Sequence, residues 1–260
     1  MANILEQFKL DEKVAIVTGG AMGLGKAMAT ALAQAGSNIV IADINKEIAD
    51  ETAKEISDNE NVEAIAIKVD VTNPEDVNQM VEAVVKQFKK IDILVNNAGM
   101  TINAKAEEMS FEDWNKVINL NLNGIFLVAQ SVGRVMIKQG YGSIINTSSM
   151  SGLIANKPQE QCSYNASKAG VIMLTKSLAM EWSKYNIKVN TIAPGYMKTE
   201  LTKPFFDQGG EMIKDWMGFT PMGRPGTPNE LGGIVVYLAS DASSFAQGSV
   251  FTIDGGYTAL

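Results

Sequence analysis

The sequence contains no histidine and only one cysteine, Cys162, among its 260 residues. A disulfide within the chain and a zinc site built from cysteine and histidine are therefore impossible. Catalysis by a Ser-His-Asp or a Cys-His arrangement is excluded for the same reason. We expect no metal site, and any proton transfer must use tyrosine, lysine, a carboxylate or water.

The sequence is also poor in positive charge and lacks a long apolar run. Its formal net charge of -7 argues against nucleic-acid binding, because such binding depends on lysine and arginine neutralising phosphates. No run of 18 apolar residues is present, so we expect no membrane partner. Residues 1–20 contain acidic residues and no basic n-region, so we expect no secretory signal and a cytoplasmic protein.

Segments typical of strands and of helices alternate along most of the chain. The continuous apolar strands indicate burial on both faces, as in a parallel sheet with helices on either side. Right-handed crossovers then predict a doubly wound α/β fold, which we expect to form one domain over residues 1–260. The predicted strands are 13–19, 38–43, 62–71, 91–99, 142–149, 187–195 and 249–256, and the predicted helices are 23–36, 46–57, 73–88, 110–138, 163–185 and 229–239.

A glycine-rich stretch, "TGGAMGLG" at residues 18–25, lies where the first strand turns into the first helix. Gly19 permits a tight turn, while Gly23 and Gly25 let the backbone approach a pyrophosphate above the helix N-terminus. The spacing is G-x-x-x-G-x-G and differs from the general dinucleotide pattern. Glycines that only end the strand and allow the helix to pack closely are the alternative interpretation.

Asp43 stands at the end of the second strand, eighteen residues beyond Gly25. A carboxylate at this place can bind ribose hydroxyls and would repel a 2′-phosphate. Residues 19–25 include no lysine or arginine that could neutralise such a phosphate. We therefore expect NAD as the cofactor rather than NADP, with a turn or helix cap as the alternative role for Asp43.

Seven short motifs occur in an order that resembles the short-chain dehydrogenase/reductase family. They are "TGGAMGLG" (18–25), "DV" (70–71), "NNAG" (96–99), "NLNG" (121–124), "SS" (148–149), "YNASK" (164–168) and "PG" (194–195). The resemblance extends over nearly the whole chain. It implies a single Rossmann-type domain whose seven-stranded parallel sheet is flanked by helices on both faces, and assembly as a homotetramer.

The resemblance also implies the catalytic residues. Tyr164 would be the general acid/base, with Lys168 one helical turn away on the same face. Asn121 would position a water in the proton relay, and Asn119 is the alternative that the "NLNG" pattern disfavours. The ammonium of a Lys168 bound to the cofactor ribose would stabilise the phenolate and so lower the pKa of Tyr164 from its usual value of about 10.

Two serines are candidates for the catalytic serine. The commonest family spacing selects Ser151, thirteen residues before Tyr164, whereas alignment of the strand end "IINTSS" selects Ser149. We prefer Ser149, because the strand end fixes its position while the loop that follows can vary in length. Its hydroxyl would hold the reacting oxygen within reach of the phenol.

The resemblance further implies a set of cofactor-binding residues. They are Gly19, Met22, Gly23, Leu24, Gly25, Asp43, Asp70, Val71, Asn97, Ala98, Gly99, Tyr164, Lys168, Pro194, Gly195 and Thr199.

The substrate is predicted from the stretch "SMSGLIANKPQEQCSYNASKAGV" (149–171), which resembles polyol and sugar dehydrogenases of the family. The candidate substrate-binding residues are Ser149, Ser151, Asn156, Gln161 and Tyr164. Residues 196–228, rich in glycine, proline and aromatic residues, break the alternation and are predicted to form a lid. A 3-oxoacyl-thioester reductase, another secondary-alcohol dehydrogenase, and an NAD-binding sensor or scaffold without turnover remain alternatives.

Overall fold

Seven parallel strands lie in one sheet within residues 3–200 and 202–259, which are the residues that the computed structural model describes. The order across the sheet is β3-β2-β1-β4-β5-β6-β7. The strands are β1 Val14–Thr18, β2 Asn38–Asp43, β3 Ala64–Lys68, β4 Ile93–Asn96, β5 Gly142–Thr147, β6 Ile187–Pro194 and β7 Val250–Ile253.

Helices cover both faces of this sheet. They are α1 Gly23–Gln34, α2 Lys46–Asn59, α3 Pro74–Phe88, α4 Phe111–Ile118, α5 Ile125–Gln139, α6 Cys162–Trp182, α7 Lys203–Gln208, α8 Glu211–Gly218 and α9 Gly232–Ala239. Side chains that alternate along β1 enter different cores, because successive strand residues point to opposite faces. Ala15 and Val17 pack with α1, α2 and α9, whereas Val14 and Ile16 pack with α3, α5 and α6. The predicted doubly wound fold is confirmed.

Several elements differ from their sequence-based predictions, among them the fourth and seventh strands, which are predicted over 91–99 and 249–256 and comprise Ile93–Asn96 and Val250–Ile253. The third strand is shorter than the predicted 62–71, since only Ala64–Lys68 pairs with β2. The helices predicted to fill 110–138 are α4 and α5, and a π-helical turn at Asn119–Gly124 joins them. Apolar spacing predicts a helix but does not show where its hydrogen bonds widen from i→i+4 to i→i+5.

The helical stretch Phe111–Gln139 is long and apolar enough, by length and composition alone, to cross a membrane. Half of its most apolar window is buried inside the fold. Core helices of globular proteins meet the same criterion, so this stretch is weak evidence for a membrane span.

The strand order reverses between β1 and β4, which are neighbours in the sheet although two strands separate them in sequence. The chain runs from β1 toward one edge of the sheet, and from β4 toward the other. A crevice opens where the two connections diverge, at the carboxyl ends of the strands, and open α/β sheets bind their ligands at such a point.

Candidate active site

A cavity of about 740 Å³ lies at the carboxyl ends of the strands. Every predicted site residue lines it except Gly25 and Asn121. Those that line it are Gly19, Met22, Gly23, Leu24, Asp43, Asp70, Val71, Asn97, Ala98, Gly99, Ser149, Ser151, Asn156, Gln161, Tyr164, Lys168, Pro194, Gly195 and Thr199. The fold thus brings together side chains that are up to 180 positions apart along the sequence.

One end of the cavity is a cradle of bare backbone at the start of α1. Gly19 and Gly23 adopt φ angles of +60° and +57°, which side-chain-bearing residues rarely adopt. A Cβ on Gly19 would stand 2.9 Å from the Cα of Ala98. The turn leads directly into the N-terminus of α1, where free N–H groups and the helix dipole favour an anion. The cradle therefore fits the pyrophosphate of a dinucleotide.

Gly25 has a role different from the predicted one. It does not line the cavity, and a Cβ there would overlap the carbonyl oxygen of Gly19 and lie 2.7 Å from Nδ2 of Asn97. That amide donates to the carbonyl oxygens of Thr18 and Gly19, each at 3.1 Å, and so clamps the turn. The lack of a side chain at Gly25 lets α1 pack against this clamped turn, and a direct contact of Gly25 with a pyrophosphate stays a prediction.

Asp43 combines the two roles that its position suggests. Its carboxylate accepts hydrogen bonds from the backbone N–H groups of Ala21, at 3.1 Å, and Asn45, at 3.0 Å, and it also lines the cavity. The nearby Lys46 is paired with Asp50, its Nζ lying 2.6 Å from a carboxylate oxygen. Among the described residues that line the cavity, the only lysine or arginine is Lys168.

Tyr164 and Lys168 lie at the other end of the cavity, on the first turns of α6. The Nζ atom of Lys168 is 5.6 Å from the centre of the Tyr164 ring and donates to the carbonyl oxygen of Thr147 at 2.9 Å. The Ser149 hydroxyl lies close enough to the phenol to lower its pKa, whereas the hydroxyl of Ser151 donates to Oδ1 of Asn156 at 2.8 Å. The geometry therefore favours Ser149 over Ser151 as the serine that acts with the tyrosine.

The pKa values of this pair reflect their burial. Burial raises the pKa of Tyr164, and hydrogen bonding by Ser149 opposes that rise. Burial also lowers the pKa of Lys168 to about 8. In the protein alone the pKa of Tyr164 thus lies above its usual value, because removing the phenolate from water outweighs the favourable contacts. The predicted lowering concerns a Lys168 that is bound to the ribose of a dinucleotide, and it stays a prediction.

Asn121 lies in the π-helical turn and is fully buried beneath the cavity. Its side chain forms two 2.8 Å hydrogen bonds with the backbone of Met100, as acceptor and as donor, and Nδ2 also donates to Ser167. The Ser167 hydroxyl donates in turn to the carbonyl oxygen of Tyr164 at 2.7 Å. The side chain of Asn119, the alternative, accepts from Nδ2 of the exposed Asn123 at 3.1 Å. Asn121 thus connects the loop after β4 to the helix that carries Tyr164.

The substrate-binding candidates form a buried polar network. Oδ1 of Asn156 accepts from the Ser151 hydroxyl at 2.8 Å and from Nε2 of Gln161 at 3.1 Å. All three residues are more than nine-tenths buried, yet all three line the cavity. This wall of the cavity therefore consists of amides and hydroxyls.

Three residues that meet this wall are not among the predicted site residues, namely Gln159, Tyr196 and Trp216, although the last two fall within the predicted lid segment 196–228. The Tyr196 and Trp216 rings are stacked with their centres 4.1 Å apart, and both residues line the cavity. Tyr196 stands directly after the "PG" turn, and that adjacency was the available signal. Its contact with Trp216 depends on how α8 packs, which periodicity does not reveal. The predicted lid segment borders the cavity, and that it moves as a lid stays a prediction.

Comparison with known proteins agrees with this geometry. The family model described as enoyl-(acyl carrier protein) reductase matches residues 19–258. Sorbose reductase SOU1 of Candida albicans is 43% identical over 259 residues, or 99% of this chain and 91% of that protein. NAD-dependent glycerol dehydrogenase of Listeria innocua is 41% identical over 253 residues, or 97% and 96%. The crystal structure of a gluconate 5-dehydrogenase from Burkholderia cenocepacia, in complex with NADP and tartrate, has a TM-score of 0.92 and 37% identity, covering 99% of this chain and 100% of that one.

Proposed function

Because the chain belongs to the short-chain dehydrogenase/reductase family of NAD(P)-dependent oxidoreductases, we propose that it interconverts a polyol and its ketose with NAD as cofactor. The observation that carries this proposal is the union of two features in one cavity. The glycine cradle at the start of α1 forms one end, and Ser149, Tyr164 and Lys168 form the other.

Bound NAD would supply the hydride acceptor for oxidation, and NADH the hydride donor for reduction. The protein supplies position and charge. The Ser149 hydroxyl donates a hydrogen bond to the reacting oxygen, and Tyr164 accepts the proton of the substrate hydroxyl during oxidation or returns it during reduction. Lys168 and the positive charge of the oxidised nicotinamide both favour the phenolate, and so counteract the rise in pKa that burial causes. Asn121 connects α6 to the loop after β4, and its part in a water relay stays a prediction.

The preference for NAD rests on charge at the adenosine end of the cavity. Asp43 lies there, and no lysine or arginine among the described residues lines that end, so a 2′-phosphate would face a carboxylate without a counter-charge. The relatives do not decide the question, since the Listeria innocua protein is named NAD-dependent and the Burkholderia cenocepacia structure holds NADP. The residues of this chain therefore carry the inference.

The polyol preference is supported by the amide and hydroxyl wall around Asn156 and by relatives named for sorbose, glycerol and gluconate. An acyl-thioester reductase is the second candidate, because the matching family model is described by an acyl carrier protein reaction. We expect such a substrate to be turned over more slowly, since an acyl chain would leave those polar groups without partners.

A substrate panel tests these alternatives. Purified protein would be assayed at 340 nm in both directions with NAD and NADP in parallel, on polyols, ketoses, monohydric secondary alcohols and a 3-oxoacyl thioester. Saturable turnover of a polyol with NAD supports the proposal. Turnover of the thioester alone would replace it with the second candidate, and tight NAD binding without any turnover would indicate a sensor or scaffold.

We further propose a homotetramer located in the cytoplasm. Phe111 on α4 and Met173 and Met180 on α6 are 78%, 60% and 82% exposed, an apolar surface that a second subunit would cover. Light scattering of the purified protein tests the assembly, since a monomeric mass would contradict it. Cell fractionation tests the location.

A further inference from the structure

A continuous series of hydrogen bonds connects helix α8 to the catalytic end of the cavity, and Tyr196 is at its centre. Nε1 of Trp216 donates to Oε1 of Gln159 at 2.9 Å. Nε2 of Gln159 and Nδ2 of Asn156 then donate to the Tyr196 hydroxyl oxygen, at 2.9 and 2.8 Å. From Asn156 the series continues to Ser151, whose backbone N–H donates to the Ser149 hydroxyl at 3.1 Å.

The Tyr196 hydroxyl donates to the carbonyl oxygen of Lys157 at 3.4 Å, so its oxygen is left to accept from the two amide groups and sets which way they face. Because Nδ2 of Asn156 points to Tyr196, Oδ1 must point to Ser151 and Gln161, and Gln161 must present its Nε2 group there. A second Nε2 hydrogen bond joins Gln161 to Asn165 at 2.9 Å. The Oε1 atom of Gln161 accepts no hydrogen bond from the described residues, although the side chain lines the cavity. It is therefore available to a donor in the cavity.

We propose that Tyr196 is a positioning residue that orients these amides so that Oε1 of Gln161 accepts a hydrogen bond from a substrate hydroxyl. This inference rests on the proposed function, because a polyol carries hydroxyl groups beyond the reacting carbon and a monohydric alcohol does not. Burial raises the pKa of Tyr196 to about 12, so its hydroxyl stays neutral throughout the usual range of assays.

The substitution Tyr196→Phe isolates this role. It keeps the ring that stacks on Trp216 and removes the oxygen that accepts from Asn156 and Gln159. The Asn156 amide is then free to turn over, and Gln161 loses its fixed orientation. When a substrate hydroxyl no longer meets an acceptor, the affinity of the enzyme for that substrate falls by roughly 5- to 150-fold. We expect this loss in the KM of the polyol and not in kcat.

The test compares kcat/KM for a six-carbon polyol with kcat/KM for butan-2-ol, in the full-length enzyme with NAD. Tyr196→Phe should lower this ratio by about tenfold or more, and leave the dissociation constant of NAD within about twofold. Tyr185→Phe is the matched control, because the Tyr185 hydroxyl makes no hydrogen bond with the described residues; its ratio should equal that of wild type. Gln161→Leu should reproduce the loss, and the double variant should lose no more than either single one.

Two failures are distinguishable. If wild type turns over no polyol, the proposed function and this inference both fall. If wild type uses the polyol but Tyr196→Phe keeps the wild-type ratio, only the positioning role is refuted. Should Tyr196→Phe not fold, Gln161→Leu decides the matter, since an unchanged ratio in that variant overturns the inference.

Discussion

The substitution Asp43→Ala separates the two roles that the structure gives this carboxylate. As a turn cap, Asp43 accepts hydrogen bonds from the N–H groups of Ala21 and Asn45, and losing them would weaken any dinucleotide equally. As a ribose ligand, it would favour NAD and repel NADP. The ratio of the two dissociation constants cancels the shared structural loss and reports only the second role.

The expected change in this ratio follows from hydrogen-bond energies. A hydrogen bond to a charged group contributes about 1.5 to 3 kcal/mol, and each 1.4 kcal/mol corresponds to a factor of ten. Asp43→Ala removes one contact with the ribose and also the repulsion of a 2′-phosphate. The ratio of the two dissociation constants should therefore shift by at least about tenfold in favour of NADP. Titration of both cofactors by fluorescence measures it. Asp58→Ala, which removes an exposed carboxylate 3.9 Å from Lys54, controls for net charge. Equal weakening of NAD and NADP in Asp43→Ala would refute the ribose assignment.

Three further predictions concern catalysis and stability. Tyr164→Phe should lower kcat by roughly 10²- to 10⁴-fold with NAD affinity retained, and near-wild-type turnover would contradict the acid/base role. Gly25→Ala should lower the free energy of unfolding by about 1 to 3 kcal/mol in urea titrations, because the new Cβ would overlap the Gly19 carbonyl oxygen. Gly233→Ala is the control and should not destabilise the protein, because the space around Gly233 is open. Equal stability of the two variants would contradict the role of Gly25 in packing α1 against the turn. Burial lowers the pKa of the Lys168 ammonium from 10.5 to about 8. The unfolded chain therefore keeps the ammonium proton up to a higher pH than the folded protein does. The free energy of unfolding should rise between about pH 8 and 10.5, by at most about 3 kcal/mol. Lys168→Met should remove that rise, and an unchanged pH dependence of urea unfolding would show that Lys168 does not cause it.

The fold could be predicted from the sequence because the two patterns that indicate it each lie within one short segment of the chain. Continuous apolar runs identify buried strands, and a glycine-rich turn after the first strand identifies the start of α1. The pair Tyr164 and Lys168 could also be predicted, because a spacing of four residues within one helix fixes which side chains share a face.

What the sequence did not reveal depends on contacts between distant segments or on solvent exclusion. The stack of Tyr196 on Trp216 exists only once α8 packs against the loop that holds Gln159. The raised pKa of Tyr164 follows from burial, which is a property of the whole fold. The packing role of Gly25 likewise requires knowing that the Gly19 carbonyl lies directly beside it.

The wider turn at Asn119–Gly124 sets the rotational phase between α4 and α5. Each residue of an α-helix advances the chain by about 100° around the axis, so removing one residue from that turn would rotate α4 by about that angle relative to α5. Val117, which is fully buried, would leave the core, and the exposed Phe111 would swing to another side. The number of residues in this turn is thus constrained by two requirements, because α4 must keep its apolar face in the core and its outer face in the present orientation.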